Sequence, residues 1–365
     1  MTQAKPQETV STLSLGVIAY NEEGCLADIL GDISAQDYPH EKMEILLADS
    51  GSTDRTKEIM LRFQQENAAG FHRIVVLDNP KKVQPAGWNV ILSNAGGEVV
   101  FRIDDHASIP PDFVRKNMER RNRGEMGSGG PRPNIAEQDT PFRRTLLMAE
   151  ASMFGSSVAS YRRQTGARYV NSMFHGAYRR EVFETVGGFN EHLWRTEDNE
   201  MHYRIRQAGY RLCYDPEIHS YQHTRSSLGK MLKQKFGNGK WIGLTLPVCP
   251  GCLSLFHFVP FAFILAIAAT TVLALLGFPL LCWLMWGAYA LLALVMAGKA
   301  IVESRRFHVS NLLLPFLFLL LHVSYGIGTL AGFCCLPGWL KKTGRAHCPE
   351  IEEVKAAMRA RHGKF

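Results

Sequence analysis

Charge is missing from two long stretches of this chain. No Asp, Glu, Lys or Arg occurs in residues 241–298 or 307–340, gaps of 58 and 34 residues. Crossing the hydrocarbon core takes about 20 apolar residues, so the first gap holds two membrane helices and the second holds one, near residues 255–276, 280–297 and 311–333. The start of the chain lacks the apolar core of a signal peptide: residues 1–11 are polar, which leaves the soluble part in the cytoplasm. No Walker or dinucleotide glycine fingerprint follows a strand, which excludes those two phosphate cradles, and no nucleic-acid motif is found. The eight cysteines are scattered. Cys249-Pro-Gly-Cys252 has metal-ligand spacing without a second pair to complete a site, and cytoplasmic domains rarely hold disulfides, so the cysteines are read as reduced.

What remains is charged and mixed. The 365 residues carry a net charge of +7 with 46% hydrophobic residues, enough for one soluble domain beside the apolar part. Basic residues flank each apolar segment: Lys230, Lys233, Lys235 and Lys240 before the first, Lys299, Arg305 and Arg306 before the third, and Lys341, Lys342 and Arg345 after it. The positive-inside bias draws all three groups to the cytoplasm. Three full crossings would put the tail outside. Pro315, Gly326, Gly328 and Gly332 interrupt the last segment, which leaves a re-entrant or in-plane element as the alternative to a plain third crossing. The division is therefore a polar segment 1–11, a cytoplasmic domain 12–248, a membrane region 249–340 and a basic tail 341–365.

In the first hundred residues strands alternate with helices. Apolar strands are expected at 13–19, 43–48, 73–77 and 99–103. Helices are expected around Cys25, Leu26, Ile29, Leu30 and Ile33, around Ile59, Met60 and Phe63, and over 86–94. This order gives an α/β fold with a mostly parallel sheet covered on both faces. Ligands of such sheets bind at the carboxyl ends of the strands. Three polar clusters fall there: Tyr20-Asn21-Glu22-Glu23, Asp49-Ser-Gly-Ser-Thr-Asp54, and Asp104-Asp105-His106. Residues 124–134, with Gly127-Ser-Gly-Gly-Pro-Arg-Pro, read as a loop or linker.

In an extended segment residues i and i+2 share a face, so Asp104 and His106 can face one cation while Asp105 turns aside. A carboxylate with an imidazole suits Mn²⁺ somewhat better than Mg²⁺; the plain alternative is a solvated turn. Thr196 is placed to cap a helix with Glu197 and Asp198 in its first turn, where the dipole stabilises acids. Ser52 or Thr53 is placed to cap another. His219 and His223, four apart, would share a face if helical.

The order of these clusters resembles that of family 2 glycosyltransferases. The matching stretches are Val17-Ile-Ala-Tyr-Asn-Glu-Glu, Asp49-Ser-Gly-Ser-Thr-Asp54, Gly87-Trp-Asn89, Asp104-Asp-His106, Gly176-Ala-Tyr-Arg-Arg180 through Gly187-Gly-Phe189, and Glu197-Asp198 with 204–209, within residues 11–241. The Asp-x-His form and the apolar block are similar to bacterial exopolysaccharide enzymes of the succinoglycan glucosyltransferase kind.

The resemblance implies a GT-A nucleotide-diphospho-sugar transferase fold with a C-terminal transmembrane helical region. It implies that Ala19, Tyr20, Asn21, Glu22 and Asp49 hold the nucleotide of a UDP-sugar, and that Asp104 and Asp105 bracket donor sugar and ribose. Asp104 and His106 would bind Mn²⁺ or Mg²⁺, although most members carry Asp where this chain has His106. Asp198 matches the catalytic base of an inverting transfer. Glu197, His223, Arg225, Gln234 and Trp241 match positions that contact acceptor or diphosphate. Where processive synthases have Gln-x-x-Arg-Trp this chain has Gln234-Lys-Phe-Gly-Asn, which favours addition of one sugar.

The expected reaction is transfer of a hexose, glucose in the exopolysaccharide enzymes, from a UDP-sugar to a polyprenyl-diphosphate-linked saccharide. It would take place at the bacterial inner membrane, with a multi-pass anchor and a cytoplasmic catalytic domain. The alternatives are a polyprenyl-phosphate hexosyltransferase and a noncatalytic membrane scaffold.

Overall fold

A computed structural model describes residues 11–136, 139–155, 166–224, 227–344, 348–363 and 365. Arg225 and Arg345, and the polar segment up to residue 10, lie outside the described residues.

The nucleotide half is built from apolar strands too buried to alternate. β1 (Leu13–Ala19) and β2 (Met43–Asp49) are closed to solvent almost throughout, as expected of parallel strands covered on both faces. With β3 (Arg73–Asp78) and β4 (Val99–Asp104) they pair in parallel. Between them run α1 (Leu26–Ser34), α2 (Thr56–Asn67) and α3 (Gln84–Asn94). The chain continues through β5 (Ala107–Ser108), α4 (Phe113–Asn122), β6 (Gly127–Gly129), β7 (Asn134–Ala136), α5 (Pro141–Ala151), β8 (Arg168–Val170), β9 (Gly176–Arg179), α6 (Arg180–Val186), α7 (Glu197–Gln207), β10 (Leu212–Tyr214), β11 (Tyr221–Thr224) and α8 (Leu228–Thr245).

Eight strands form the main sheet in the order β3-β2-β1-β4-β9-β6-β10-β8, and β5-β11-β7 form a small second sheet. The strand order reverses between β1 and β4, which opens a crevice at their carboxyl ends. Register brings the polar clusters to that edge: Ala19 pairs with Asp49 and Ile18 with Asp104. Two cores flank the sheet, one with Leu15, Val17, Phe101 and Ile103, the other with Leu46, Trp88, Val182 and Met201.

Residues 124–134 differ from the expected loop, because 127–129 form strand β6 inside the sheet, between β9 and β10. Small residues are required there: a Cβ on Gly129 would lie 2.6 Å from the His175 carbonyl oxygen, and one on Gly130 would lie 2.0 Å from that of Ile218. The helix caps also differ. Thr196 is the residue before α7, but its hydroxyl pairs with that of Thr245 at 2.5 Å instead of capping. Ser52 and Thr53 bond Asn21, and α2 starts only at Thr56. His219 precedes β11 and His223 lies in it, so the two do not share a helix face.

Three helices are long and apolar enough to cross a membrane, over Leu255–Leu275, Leu280–Ser304 and Val309–Thr343. They contain α9 (Val259–Leu275), α10 (Leu280–Ser304) and α11 (Leu314–Thr343). The expected interruption of the last segment does not occur, since α11 runs through all four positions. Pro315 lies in its first turn, where a missing N–H removes no helical bond. The glycines mark where backbones meet: a Cβ on Gly328 would lie 2.1 Å from the Phe236 oxygen, and one on Gly332 2.2 Å from that of Lys240. α11 therefore lies against α8. It also touches the catalytic domain at both ends, through Phe318 on Phe154 and Trp339 on Trp241.

The segment read as a basic tail contains a further helix, α12 (Glu350–Ala360). It buries Val354 and Met358 in the core beside α3 and α6.

Candidate active site

β4 aims alternate residues in opposite directions. Phe101 and Ile103 enter one core, and Arg102 and Asp104 lie on the other face. Asp104 is buried at the strand's end, 3.4 Å from Nε2 of His175. His175 sits beside it because it immediately precedes β9, the antiparallel neighbour of β4. Burial works to raise the Asp104 carboxyl, but the contact with His175 and the cationic fields of His106 and Arg102 prevail and hold it well below the usual carboxylate range.

The chain turns at 105–106 and does not stay extended as expected, yet Asp104 and His106 both line one cavity while Asp105 does not. Asp105 takes His106 Nδ1 at 2.7 Å, and His106 Nε2 faces the Gln222 amide. Burial pushes the His106 pKa down, yet Asp105 and Asp104 more than offset it and the net shift is upward.

α7 carries Glu197 and Asp198 into the same crevice. Its position is fixed by Arg204, which binds Glu200 and donates to the carbonyls of Val186 and Gly188. Glu197 is buried, 3.5 Å from Nη2 of Arg102. Arg102 itself stacks over Trp88 and Phe189, 5.1 and 5.5 Å from their ring centres. Asp198 is only half-buried and opens into the crevice. Burial raises the pKa of both acids; Arg102 opposes this in each case without reversing it.

The loops after β1 and β2 interlock. Asn21, in the left-handed region at φ 55°, accepts from Thr53 N at 2.8 Å and donates its own N–H to Ser52 Oγ. Glu22 N donates to Thr56 Oγ1, and Asp49 accepts from Ser52 N. Tyr20 stands above them 54% exposed, an aromatic face open for stacking.

One cavity of about 1370 Å³ joins Asp104, His106, Glu197, Asp198, Gln234 and Trp241. Ala19, Tyr20, Asn21, Glu22, Asp49 and Asp105 do not line it; Ala19 and Asp49 pair at the carboxyl ends of β1 and β2, on the edge where β4 ends in Asp104. His223 lies in β11, with its N–H on the His106 carbonyl, and does not line the cavity. The sequence reading missed several wall residues: Arg102, Arg132, Glu150, Trp194 and Lys235. A charged residue two before Asp104 in an apolar strand was the one available signal for Arg102. Lys235 and Glu150 form a buried ion pair at 3.1 Å between α8 and α5, which only the tertiary fold brings together. From Trp194 the cavity continues past Phe263 of α9 and Tyr289 of α10 to Leu321 and His322 of α11.

Among the described residues no three His, Cys, Asp or Glu side chains converge to hold a cation. Asp104 and His106 supply a carboxylate and an imidazole, which suit a divalent ion chemically, but both ring nitrogens of His106 are engaged. Oxygens of a bound diphosphate would have to complete the shell.

A crevice at the switch point of such a sheet, with acids on β4 and at the head of α7, is that of a GT-A glycosyltransferase. The fold agrees with that of the mannosyltransferase PcManGT from Pyrobaculum calidifontis, solved in complex with GDP-Man and Mn²⁺. The TM-score is 0.57 at 19% identity, over 89% of this chain and 90% of that one. Residues 14–187 match glycosyl transferase family 2, and 162–227 match the profile described as the N-terminal domain of galactosyltransferase. The chain carries a family 2 glycosyltransferase domain and is a glycosyltransferase. It is 29% identical over 238 residues to the succinoglycan biosynthesis protein ExoA of Rhizobium meliloti, covering 64% of this chain and 70% of that protein. It is 24% identical over 322 residues to the dolichyl N-acetyl-alpha-D-glucosaminyl phosphate 3-beta-D-2,3-diacetamido-2,3-dideoxy-beta-D-glucuronosyltransferase of Methanococcus voltae, covering 86% and 95%.

Proposed function

We propose that this glycosyltransferase moves a hexose, glucose by analogy with succinoglycan synthesis, from a UDP-sugar to a saccharide carried on a polyprenyl diphosphate at the bacterial inner membrane. The observation that carries this reading is the continuous cavity. One end presents Asp104 and Asp198, and the other is walled by Phe263, Tyr289 and Leu321 of the three apolar helices. An acceptor with a water-soluble end and an apolar chain fits such a space; a free sugar would leave half of it unused. The Methanococcus relative, named for a lipid-linked acceptor, matches over 86% of this chain, more than the catalytic domain alone.

Tyr20, Asn21, Glu22 and Asp49 would hold the nucleotide, with Ala19 giving close backbone approach, and Asp104 and Asp105 would hold the donor sugar and ribose. A divalent cation, Mn²⁺ or Mg²⁺, held through Asp104 and His106 together with diphosphate oxygens, would neutralise charge on the leaving diphosphate. Asp198 takes the proton of the acceptor hydroxyl as that oxygen attacks the anomeric carbon opposite the leaving UDP, which inverts the configuration. Its raised pKa brings it nearer to the operating pH, where a base works best. Glu197, Gln234 and Trp241 would position acceptor and diphosphate. The family resemblance gives His223 and Arg225 the same task, His223 acting through β11 and His106.

The catalytic domain would lie on the cytoplasmic face. α9 and α10 would cross as a hairpin while α11 lies near the membrane plane beneath α8. This topology is supported by α12, which is packed on the catalytic domain and so shares its side of the membrane. The test is transfer of label from UDP-[¹⁴C]glucose into a bacterial lipid extract, followed by mild acid hydrolysis. Label released as an oligosaccharide supports the reading. A single sugar on monophosphate would instead favour a polyprenyl-phosphate hexosyltransferase.

A further inference from the structure

The last helix of the chain returns to the donor side of the catalytic domain and ends up beside the nucleotide loops. Gly188 N donates to the Ile351 carbonyl at 3.0 Å, and Arg180 Nη2 donates to that of Met358 at 3.0 Å. The first residue of α12, Glu350, receives Lys81 Nζ at 2.6 Å, and the same ammonium reaches Glu191 at 2.6 Å. Cys348 donates its thiol to Glu350 and accepts from Glu191 N. Glu191 in turn accepts from Asn89 of α3 at 2.9 Å. Burial pushes the Glu350 carboxyl up, but the bonds from Lys81 and Cys348 outweigh it and hold the group at about 2. Lys81 is thus clasped between the tail and the nucleotide half.

The next residue, Lys82, is strained. Its φ is +57°, and it is one of only three non-glycine residues in the left-handed region among the described residues. Asn21 is another, and both reach the loop 50–53, Asn21 at Ser52 and Thr53 and Lys82 at Gly51. A left-handed residue costs about 1 kcal/mol and persists when its surroundings hold it. Lys82 crosses over Gly51, its Cε 2.8 Å from where a Cβ on that glycine would be, so the absence of a side chain there gives it room. It lines the cavity that contains Asp104. Its loop is tied to β2 by Asn79, whose N–H donates to Asp49 O and whose amide donates to Ser50 Oγ.

We infer that Lys82 is a donor-site cation that takes the nucleoside diphosphate, and that the C-terminal helix, through the Glu350–Lys81 bond, holds it in place. This rests on the reading of the chain as a nucleotide-sugar transferase. The tail is then a working part of the donor site, and it links the end of the membrane region to nucleotide affinity. Lys82 acts by contact; Lys81 and Glu350 act by positioning.

The test uses UDP itself, titrated calorimetrically into the full chain in detergent, with thermal unfolding recorded for every variant. Lys82→Met is expected to weaken UDP roughly tenfold, the loss of one charged hydrogen bond. Glu350→Gln and Lys81→Met are each expected to weaken it about threefold, to raise the donor KM, and to leave kcat and the unfolding temperature near those of the native chain. The double variant Lys82→Met, Glu350→Gln should bind as Lys82→Met does, because the tail acts through Lys82. Glu353→Gln, on the same helix, should change nothing. A native chain that binds no nucleotide contradicts the transferase reading. A native chain that binds UDP while Lys82→Met binds it equally well overturns this inference alone. A Glu350→Gln chain that loses kcat and thermal stability together, with donor KM unmoved, reduces the tail to a structural element.

Discussion

Arg102 holds its guanidinium 3.5 Å from the Glu197 carboxylate, with both side chains closed off from solvent and three aromatic rings around the cation. Removing one partner of a buried pair leaves the other charge uncompensated, at about 3 kcal/mol. Arg102→Met should therefore lower the unfolding temperature clearly, and Glu197→Gln added to it should recover part of the loss. Thermal unfolding of the two variants in detergent measures both.

The same cation bears on catalysis, because it is the main group that opposes burial at Asp198, ahead of backbone N–H bonds. Burial raises the Asp198 pKa and Arg102 lowers it, with a net upward shift. Only the ionised form accepts a proton, so kcat/KM should fall as pH drops through this raised pKa. The acid limb of the profile should thus lie above the ordinary carboxylate range. In folded Arg102→Met the opposing charge is gone, and the limb should move to still higher pH.

Backbone contact between α8 and α11 gives a third prediction. A side chain at Gly239 would meet the Tyr325 carbonyl at 2.0 Å, so Gly239→Val should cost about 2 kcal/mol by forcing the helices apart. Gly31 in α1 has open space around its Cβ position. Gly31→Ala should add about 0.5 kcal/mol by reducing the freedom of the unfolded chain. Unfolding curves of the two variants should move in opposite directions.

The fourth prediction concerns the side of the membrane on which each end lies. Gly277, at the turn between α9 and α10, is open. A single cysteine there should react with an impermeant maleimide added to intact cells, whereas one at Lys342 should react only after lysis. Labelling of both in intact cells would mean that α11 crosses fully.

The nucleotide half was legible in the sequence because its strands are long apolar runs ending in acids. Leu13–Ala19, Met43–Asp49, Arg73–Asp78 and Val99–Asp104 formed within a residue or so of their expected bounds, and register then placed Asp49 and Asp104 on one edge. β6 was not legible. Gly-Ser-Gly carries no apolar signal, and its glycines are set by distant chain: a Cβ on Gly129 would lie 2.6 Å from the His175 carbonyl oxygen, and one on Gly127 3.0 Å from the Leu212 side chain. The glycines of α11 were read as breaks for want of a partner; α8 supplies one. α12 carries Ile351, Val354 and Met358 at helical spacing, a signal hidden among charged residues. The pairing of His106 with Asp105 depends on a turn that spacing alone does not reveal.

The central claim is that Asp198 deprotonates a lipid-linked acceptor while a nucleotide sugar is bound nearby. UDP release from purified protein, supplied with a UDP-sugar, Mn²⁺ and a bacterial lipid extract, tests it beside Asp198→Asn. The expected result is release that depends on the lipid and disappears in Asp198→Asn, which still binds UDP. Undiminished release by Asp198→Asn, or release indifferent to lipid, would contradict it.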